Sequence, residues 1–299
     1  MVYRSVDSLD FKLSDLATLP LPRHVLMTSP EHFEVEYVIN PHMVGNIGDV
    51  DQPAAMKQWT ALRDTYAGLD LEVHTIAGTG GLPDMVFCAN QSLPYPEPDG
   101  GSGNGGVILS RMFAPQRVPE VVHFDLYFDA LGHRTHPLSS HSSLSFEGMG
   151  DAIWHPRRRL LWGGHGFRTD DSVYAQISEI ASAPVVLLAL VDADFYHLDT
   201  CFSVLDERTV LIYPGAFDET GLACIHHLFE RVIESPEDDA RNLFSCNSHC
   251  PDERRVIIQE GCETTCRLLS EAGYIPIEVD TSEFLKSGGS VFCMKLMYW

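Results

Sequence analysis

The chain has 299 residues, 44% hydrophobic and 21% charged, the composition of a folded globular protein; this excludes the disordered, collagenous and mini-protein classes. Twenty Lys and Arg against 42 Asp and Glu give a formal charge of -22, which repels nucleic-acid phosphates and anionic lipid and favours cationic partners. Met1 to Lys12 carries no apolar signal-like core, Pro184 to Val191 is too short an apolar run to span a bilayer, and eight irregularly spaced Cys read as free thiols in a reducing compartment, so a cytoplasmic protein without nucleic-acid or membrane partners is expected.

Along the chain, helix-like patterning covers Pro53 to Tyr66, Pro115 to Leu131, Asp171 to Ala181, Asp218 to Ile233 and Gly261 to Ala272. Asp51 and Asp218 suit N-caps, and Pro53 and Pro115 fall near first turns, where a missing N–H does no harm. Between the helices lie β-rich pieces: His24 to Met27, Val107 to Ser110, Ala152 to Trp154, Leu160 to Gly163, Val185 to Val191, Cys201 to Leu205, Thr209 to Tyr213, Arg255 to Ile258, Ile275 to Val279 and Val291 to Met297. The helices recur every roughly 40 to 60 residues, a period that signals repeated units. No Pro- or Ser-rich linker interrupts them, which predicts one α/β domain over residues 1–299. Gly101, Gly103 and Gly106 spell G-x-G-x-x-G, but Pro94, Pro96 and Pro98 precede it and strand-like Val107 to Ser110 follows, so Asp99 to Gly106 reads as a hairpin loop rather than a dinucleotide site.

Three clusters can carry chemistry. In Tyr196-His197-Leu198-Asp199-Thr200-Cys201, an extended backbone would put His197, Asp199 and Cys201 on one face, an acid/base beside its electrostatic partner. In Phe146-Glu147-Gly148-Met149-Gly150-Asp151, two carboxylates separated by glycines suit a planar cation such as guanidinium. In Ser287-Gly288-Gly289-Ser290-Val291-Phe292-Cys293, two glycines before an apolar piece let backbone approach a ligand, and Cys293 beside His197 becomes a nucleophile candidate. Asn40 and Asn90 each end a β-like run with an amide, and Arg111 and Arg168 are able to grip a carboxylate.

Together the segments Y-V-I-N-P-H-M, P-D-M-V-F-C-A-N, F-E-G-M-G-D, G-H-G-F-R, F-Y-H-L-D-T-C and S-G-G-S-V-F-C, in this order from residue 37 to residue 293, resemble the guanidino-group-modifying enzymes. The resemblance implies the pentein fold, a five-bladed pseudo-symmetric α/β propeller, with which the five helices agree. It further implies that Cys293 is the nucleophile and His197 the acid/base, that Glu147 and Asp199 bind the guanidinium, and that Asn40, Arg111 and Arg168 contact the substrate's own amine and carboxylate. The comparable motif in citrulline-forming members usually ends in Asp; Asn90 resembles instead the arginine dihydrolases, which convert arginine to ornithine, carbon dioxide and two ammonia. The implied substrate is a small guanidino compound, arginine or a methylated arginine, with no cofactor and no catalytic metal; homo-oligomerisation is compatible with the resemblance. Dimethylargininase or arginine deiminase, both giving citrulline, is the alternative.

Two other readings compete. Cys246, His249, Cys250, Cys262 and Cys266 have a spacing loosely like a zinc site, although Cys262 and Cys266 lie one turn apart within a helical pattern. A non-enzymatic binding protein of the same shape would not need Cys293, His197 and both carboxylates together.

Overall fold

The computed structural model describes residues 1–97, 105–139 and 143–299. Among these residues the strands form five separate sheets, and one unit recurs in them. A first strand pairs antiparallel with a second, the chain crosses through a helix, and a third strand runs parallel to the second. A parallel neighbour requires such a crossover.

The second unit is Ser92–Tyr95, Gly106–Leu109, helix Val121–Ala130 and Arg134–His136. The third is Ala152–Trp154, Leu161–His165, helix Tyr174–Ala181 and Val185–Ala189, with Val2–Tyr3 added at its edge. The fourth is Phe202–Val204, Thr209–Ile212, helix Glu219–Leu228 and Arg231–Glu234. In the fifth, Arg255–Gln259, helix Glu263–Glu271 and Ile275–Val279 follow a first strand reduced to a single bridge, His249 to Ile257. The first unit has His24–Thr28, helix Gln52–Ala67 and Glu72–Ile76, but its first strand comes from the other end of the chain: Leu296–Tyr298 pairs antiparallel with His24–Thr28.

Local chemistry explains the helix starts. Asp51 accepts a hydrogen bond from Ala54 N at 3.0 Å, Pro53 fits the first turn, and Ala55, Trp59, Leu62 and Tyr66 turn one face of the helix into the core. Asp218 caps Glu219–Leu228 by accepting from Gly221 N at 2.7 Å. A single hydrophobic cluster runs from Tyr3 to Tyr298.

Two expected elements change at the level of tertiary structure. The helix expected over Asp218 to Ile233 stops at Leu228, because Arg231–Glu234 finds an open parallel partner in Thr209–Ile212. The strand expected over Val291 to Met297 survives only as Leu296–Tyr298; ahead of it the Asn247 side chain takes the N–H groups of Ser290, Phe292 and Cys293, which therefore cannot join a ladder. The glycine-rich segment joins an antiparallel pair, Tyr95 opposite Gly106, as a hairpin does. Its central residues, with Gly101 and Gly103, lie outside the described residues. No helix among the described residues is long and apolar enough to cross a membrane.

Candidate active site

The segments that lead into the five first strands carry Asn90, Glu147, His197 with Asp199, Asn247, and Cys293. Hydrogen bonds join them around one small cleft with about 270 Å³ of space, lined by Asn40, Asp84, Asn90, Arg168, His197 and Cys293 among others.

Cys293 lies in the turn before Leu296–Tyr298, almost fully buried. Its Sγ donates to Asp199 Oδ2 at 3.1 Å and accepts from Asn247 Nδ2 at 3.1 Å. Asn247 Oδ1 in turn accepts from the N–H groups of Ser290, Phe292 and Cys293 at 3.1, 3.1 and 3.2 Å, so one side chain shapes the turn and touches the sulfur. Burial, and then the Asp199 charge, hold the thiol well above its ordinary pKa. The resting sulfur is therefore a thiol. Burial also pushes the Asp199 carboxyl up to about 7, against the opposing pull of the Cys293 hydrogen bond.

That shift has a sign that can be measured. A carboxyl raised in the folded state contributes stability that is complete below about pH 4 and is lost as pH rises through about 7. Asp199→Asn has no proton to lose there. The melting temperature of Asp199→Asn minus that of the parent is expected to rise steadily from pH 4 to pH 7, and a flat difference in thermal denaturation would refute the raised Asp199 carboxyl.

His197 Nε2 lies 2.6 Å from Glu147 Oε2. Glu147 also accepts from Arg168 Nη1 at 3.2 Å and, on Oε1, from Phe113 N at 2.9 Å. Burial alone would raise its carboxyl, but the His197 hydrogen bond and Arg168 outweigh it and hold the group down at about 2. Glu147 is thus an anion fixed behind His197. The Arg168 guanidinium stacks on Tyr196, 4.8 Å from the ring centroid, and its Nη2 donates to Ile39 O at 2.7 Å.

Asn90 is oriented by a residue that sequence reasoning passed over. Arg117, buried and paired with Glu120 at 2.9 Å, donates from Nη1 to Asn90 Oδ1 at 2.8 Å. Arginine can only donate, so the amide oxygen must face it and the amide nitrogen must face away. Asn90 Nδ2 is buried without a partner, as is Asp199 Oδ1. Gly150 makes room for this arrangement: a Cβ there would collide with Asn90 Nδ2 and stand 3.6 Å from His197 Cγ. Gly288, at φ +85, similarly brings backbone against Asn40 and Tyr196, where a Cβ would come within 2.9 Å of Asn40 Oδ1.

The expected residues thus separate by position. Cys293, His197, Asn90, Asn40 and Arg168 line the cleft; Asp199 and Glu147 stand directly behind the sulfur and the imidazole. Asn40 caps Pro41–Met43 with its oxygen and donates to Ser287 O at 2.9 Å. Two residues expected at the substrate are placed elsewhere. Asp151, expected to bind guanidinium, accepts from Leu198 N at 3.0 Å and Thr169 Oγ1 at 2.6 Å; one oxygen seats the His197–Asp199 segment and the other holds Thr169, whose hydroxyl accepts from Glu147 N. Arg111, expected at the substrate's carboxylate, donates to the carbonyls of Leu138, Ser139 and Leu144 and does not line the cleft. The expected strand through His197, Asp199 and Cys201 is a 3-10 turn, Leu198–Thr200, which sends His197 to Glu147 and Asp199 to Cys293 while Cys201 stays in the core.

Asp84, Arg117 and Asn247 are site residues that the sequence reading did not single out. Asp84 is the one carboxylate among the described cleft-lining residues and accepts from Tyr37 Oη at 2.8 Å and Ser287 Oγ at 3.0 Å. It stands inside the P-D-M-V-F-C-A-N segment, where a buried acid within an apolar run was the available signal. Asn247 sits among Cys246, His249 and Cys250, which drew attention for their zinc-like spacing. Those thiols are instead raised by burial, and His249 Nδ1 lies 3.2 Å from Tyr66 Oη. Lys295, fully buried two residues past Cys293, lies over the Phe292 ring at 3.0 Å from its centroid, and burial lowers its amine to about 7.

Comparison with known proteins places this geometry. Residues 30–297 match the family described as N,N dimethylarginine dimethylhydrolase, eukaryotic. The chain is 37% identical over 274 residues to the bifunctional arginine dihydrolase/ornithine cyclodeaminase ArgZ of Synechocystis, covering 91% of this chain but only 37% of that protein. It is 36% identical over 277 residues to the N(G),N(G)-dimethylarginine dimethylaminohydrolase of Mycobacterium tuberculosis, covering 93% of this chain and 86% of that one. Among solved structures, the N-terminal domain of the cyanobacterial ArgZ, a Cys-to-Ser variant bound to substrate, superposes with a TM-score of 0.83 at 36% identity, covering 92% of this chain and 97% of that one. An Asn-to-Ser variant of the same domain, covalently bound to a reaction intermediate, superposes equally well at 0.83, with 36% identity and coverage of 92% and 97%. By its sequence over nearly its whole length, the chain belongs to the dimethylarginine dimethylhydrolase family of guanidino-group-modifying enzymes.

Proposed function

We propose that this protein hydrolyses the guanidino group of free L-arginine to ornithine, carbon dioxide and two ammonia, through a covalent intermediate on Cys293. The observation that carries the reading is a pair of orphaned buried atoms: an acceptor, Asp199 Oδ1, on the carboxylate that Cys293 contacts, and a donor, Asn90 Nδ2, on an amide that lines the cleft. A guanidinium supplies the N–H that the acceptor lacks. A ureido oxygen supplies the acceptor that the donor lacks.

The resting thiol becomes a nucleophile when the substrate arrives, because a guanidinium next to the sulfur offsets the burial and the Asp199 charge that keep it protonated. The thiolate attacks the guanidinium carbon, His197 passes a proton to the departing ammonia, and an S-alkylthiouronium remains. His197, steadied by Glu147, then takes a proton from water, which displaces the sulfur and leaves a ureido group. This group is neutral and far less electrophilic than guanidinium, so a second attack needs a donor aimed at its oxygen as negative charge develops there. Asn90 Nδ2 fills that role. The second ammonia leaves, a second water cleaves the thiocarbamate, and the carbamate falls apart into carbon dioxide and ornithine. Asp84 receives the substrate's α-ammonium and Arg168 its carboxylate, and the net charge of -22 draws in a cationic side chain.

The recurrence of one strand–strand–helix–strand unit, with the last strand of the chain completing the first sheet, supports reading the five sheets as blades of a closed pentein propeller in a single domain. In such a ring, the five leading segments meet at the axis, where the cleft lies.

Asn90→Asp is the test. Asp at position 90 keeps the Arg117 contact, so the fold should persist, but it presents an acceptor where the second step needs a donor. Product analysis with L-arginine should shift from ornithine with two ammonia to citrulline with one; continued production of ornithine would overturn the assignment. A second reading, dimethylargininase, is favoured by the matched family and by the mycobacterial relative. Parallel incubation with arginine and with methylated arginines separates the two, since methylamine or dimethylamine and citrulline are released only under the second.

A further inference from the structure

His24 opens the strand His24–Thr28 and lies in register with Glu72, the first residue of the parallel strand Glu72–Ile76; His74 is two residues further along and shares the face of Glu72. His24 Nδ1 is 3.2 Å from His74 Nε2 and 3.3 Å from Glu72 Oε2, and all three atoms fall within 4.8 Å of one another. A tetrahedral zinc ion with bonds of about 2.0–2.2 Å holds its ligand atoms about 3.3–3.6 Å apart. Two edges of the triangle are already close to that size.

A proton on His24 Nδ1 can point well at only one of its two neighbours, whereas a cation satisfies both. The rings are also held in place: Tyr298 stacks on His24 with centroids 4.9 Å apart and planes at 24°, and stands 5.9 Å from His74. Glu72 is exposed and free to swing its carboxylate inward, which leaves a fourth position open to solvent. None of the three residues lines the Cys293 cleft.

We propose that His24, Glu72 and His74 form a zinc(II) site, unconnected with catalysis, that clasps the second and third strands of the first unit beneath the C-terminal strand. Because the folded chain presents the triad and the unfolded chain does not, zinc should stabilise the fold by mass action.

The test uses the full chain, stripped with chelator and carrying Cys293→Ser so that the active-site thiol does not compete. Titration with zinc chloride, followed by calorimetry, should give one zinc per chain at this site and raise the melting temperature by a few degrees. Adding His74→Ala should remove that zinc and the shift, and Glu72→Gln, at an exposed position where folding is not at risk, should weaken binding at least tenfold. In the otherwise native enzyme, His74→Ala should leave arginine turnover unchanged. Absence of zinc binding by the parent, or equal stoichiometry and affinity in the parent and both variants, would overturn the proposal.

Discussion

Cys293→Ser is expected to reduce turnover of the guanidino substrate by about four orders of magnitude or more while leaving substrate binding measurable. The environment of the sulfur dictates the size of the effect. Burial and Asp199 hold the thiol protonated, so under the proposed mechanism activity depends on a proton that the arriving guanidinium dislodges. An alcohol starts several units higher, beyond the reach of that one charge. Serine still donates to Asp199 and fits the turn that Asn247 holds, so loss of activity without loss of melting temperature would isolate the chemistry. Steady-state ammonia release together with calorimetric binding of arginine checks both halves. Turnover within tenfold of the parent would remove the nucleophile from the mechanism.

His197→Gln should lower kcat by about 10²- to 10⁴-fold, and it should do so at two points in the cycle. Gln keeps a hydrogen-bond donor for Glu147, so the buried carboxylate at about 2 is not abandoned and the fold is preserved. What disappears is a group that can both give a proton to ammonia and take one from water. If attack still proceeds slowly, the thiouronium should accumulate, because its hydrolysis lacks a base; intact-protein mass spectrometry after rapid quenching reads this directly. An undiminished kcat would show that the His197–Glu147 pair is structural.

The paired orphan atoms also explain why the site tolerates so much burial of charge. Glu147, Asp199, Arg168 and Arg117 are all buried, and each but Asp199 has partners for both ends of its charged group. An unsatisfied buried acceptor is costly. Asp199 Oδ1 is left in that state on the carboxylate that contacts Cys293, where the proposed guanidinium substrate would complete the set.

Much of this protein was legible in the linear chain. Five helices at a regular period with short β-rich pieces between them specify repeated α/β units because amphipathic period and capping are local properties, whereas the strands after the first two helices, Glu72–Ile76 and Arg134–His136, are too polar to stand out. The candidate site residues were legible too, since Cys293, His197, Glu147 and Asn90 stand beside glycines or at the ends of β-like runs. Which atoms meet was decided only by tertiary structure. Asp151 and Glu147 are four residues apart with the same charge, yet one is consumed by Leu198 N and Thr169 while the other backs the imidazole. Asn247 and Arg117 carry no motif at all; their importance arises because hydrogen bonds, unlike hydrophobic period, are short and directional, and the partners lie 46 and 27 residues away along the chain. The closing strand Leu296–Tyr298 makes the same point, for its partner His24–Thr28 sits at the opposite end of the polypeptide and only the folded arrangement brings the two together.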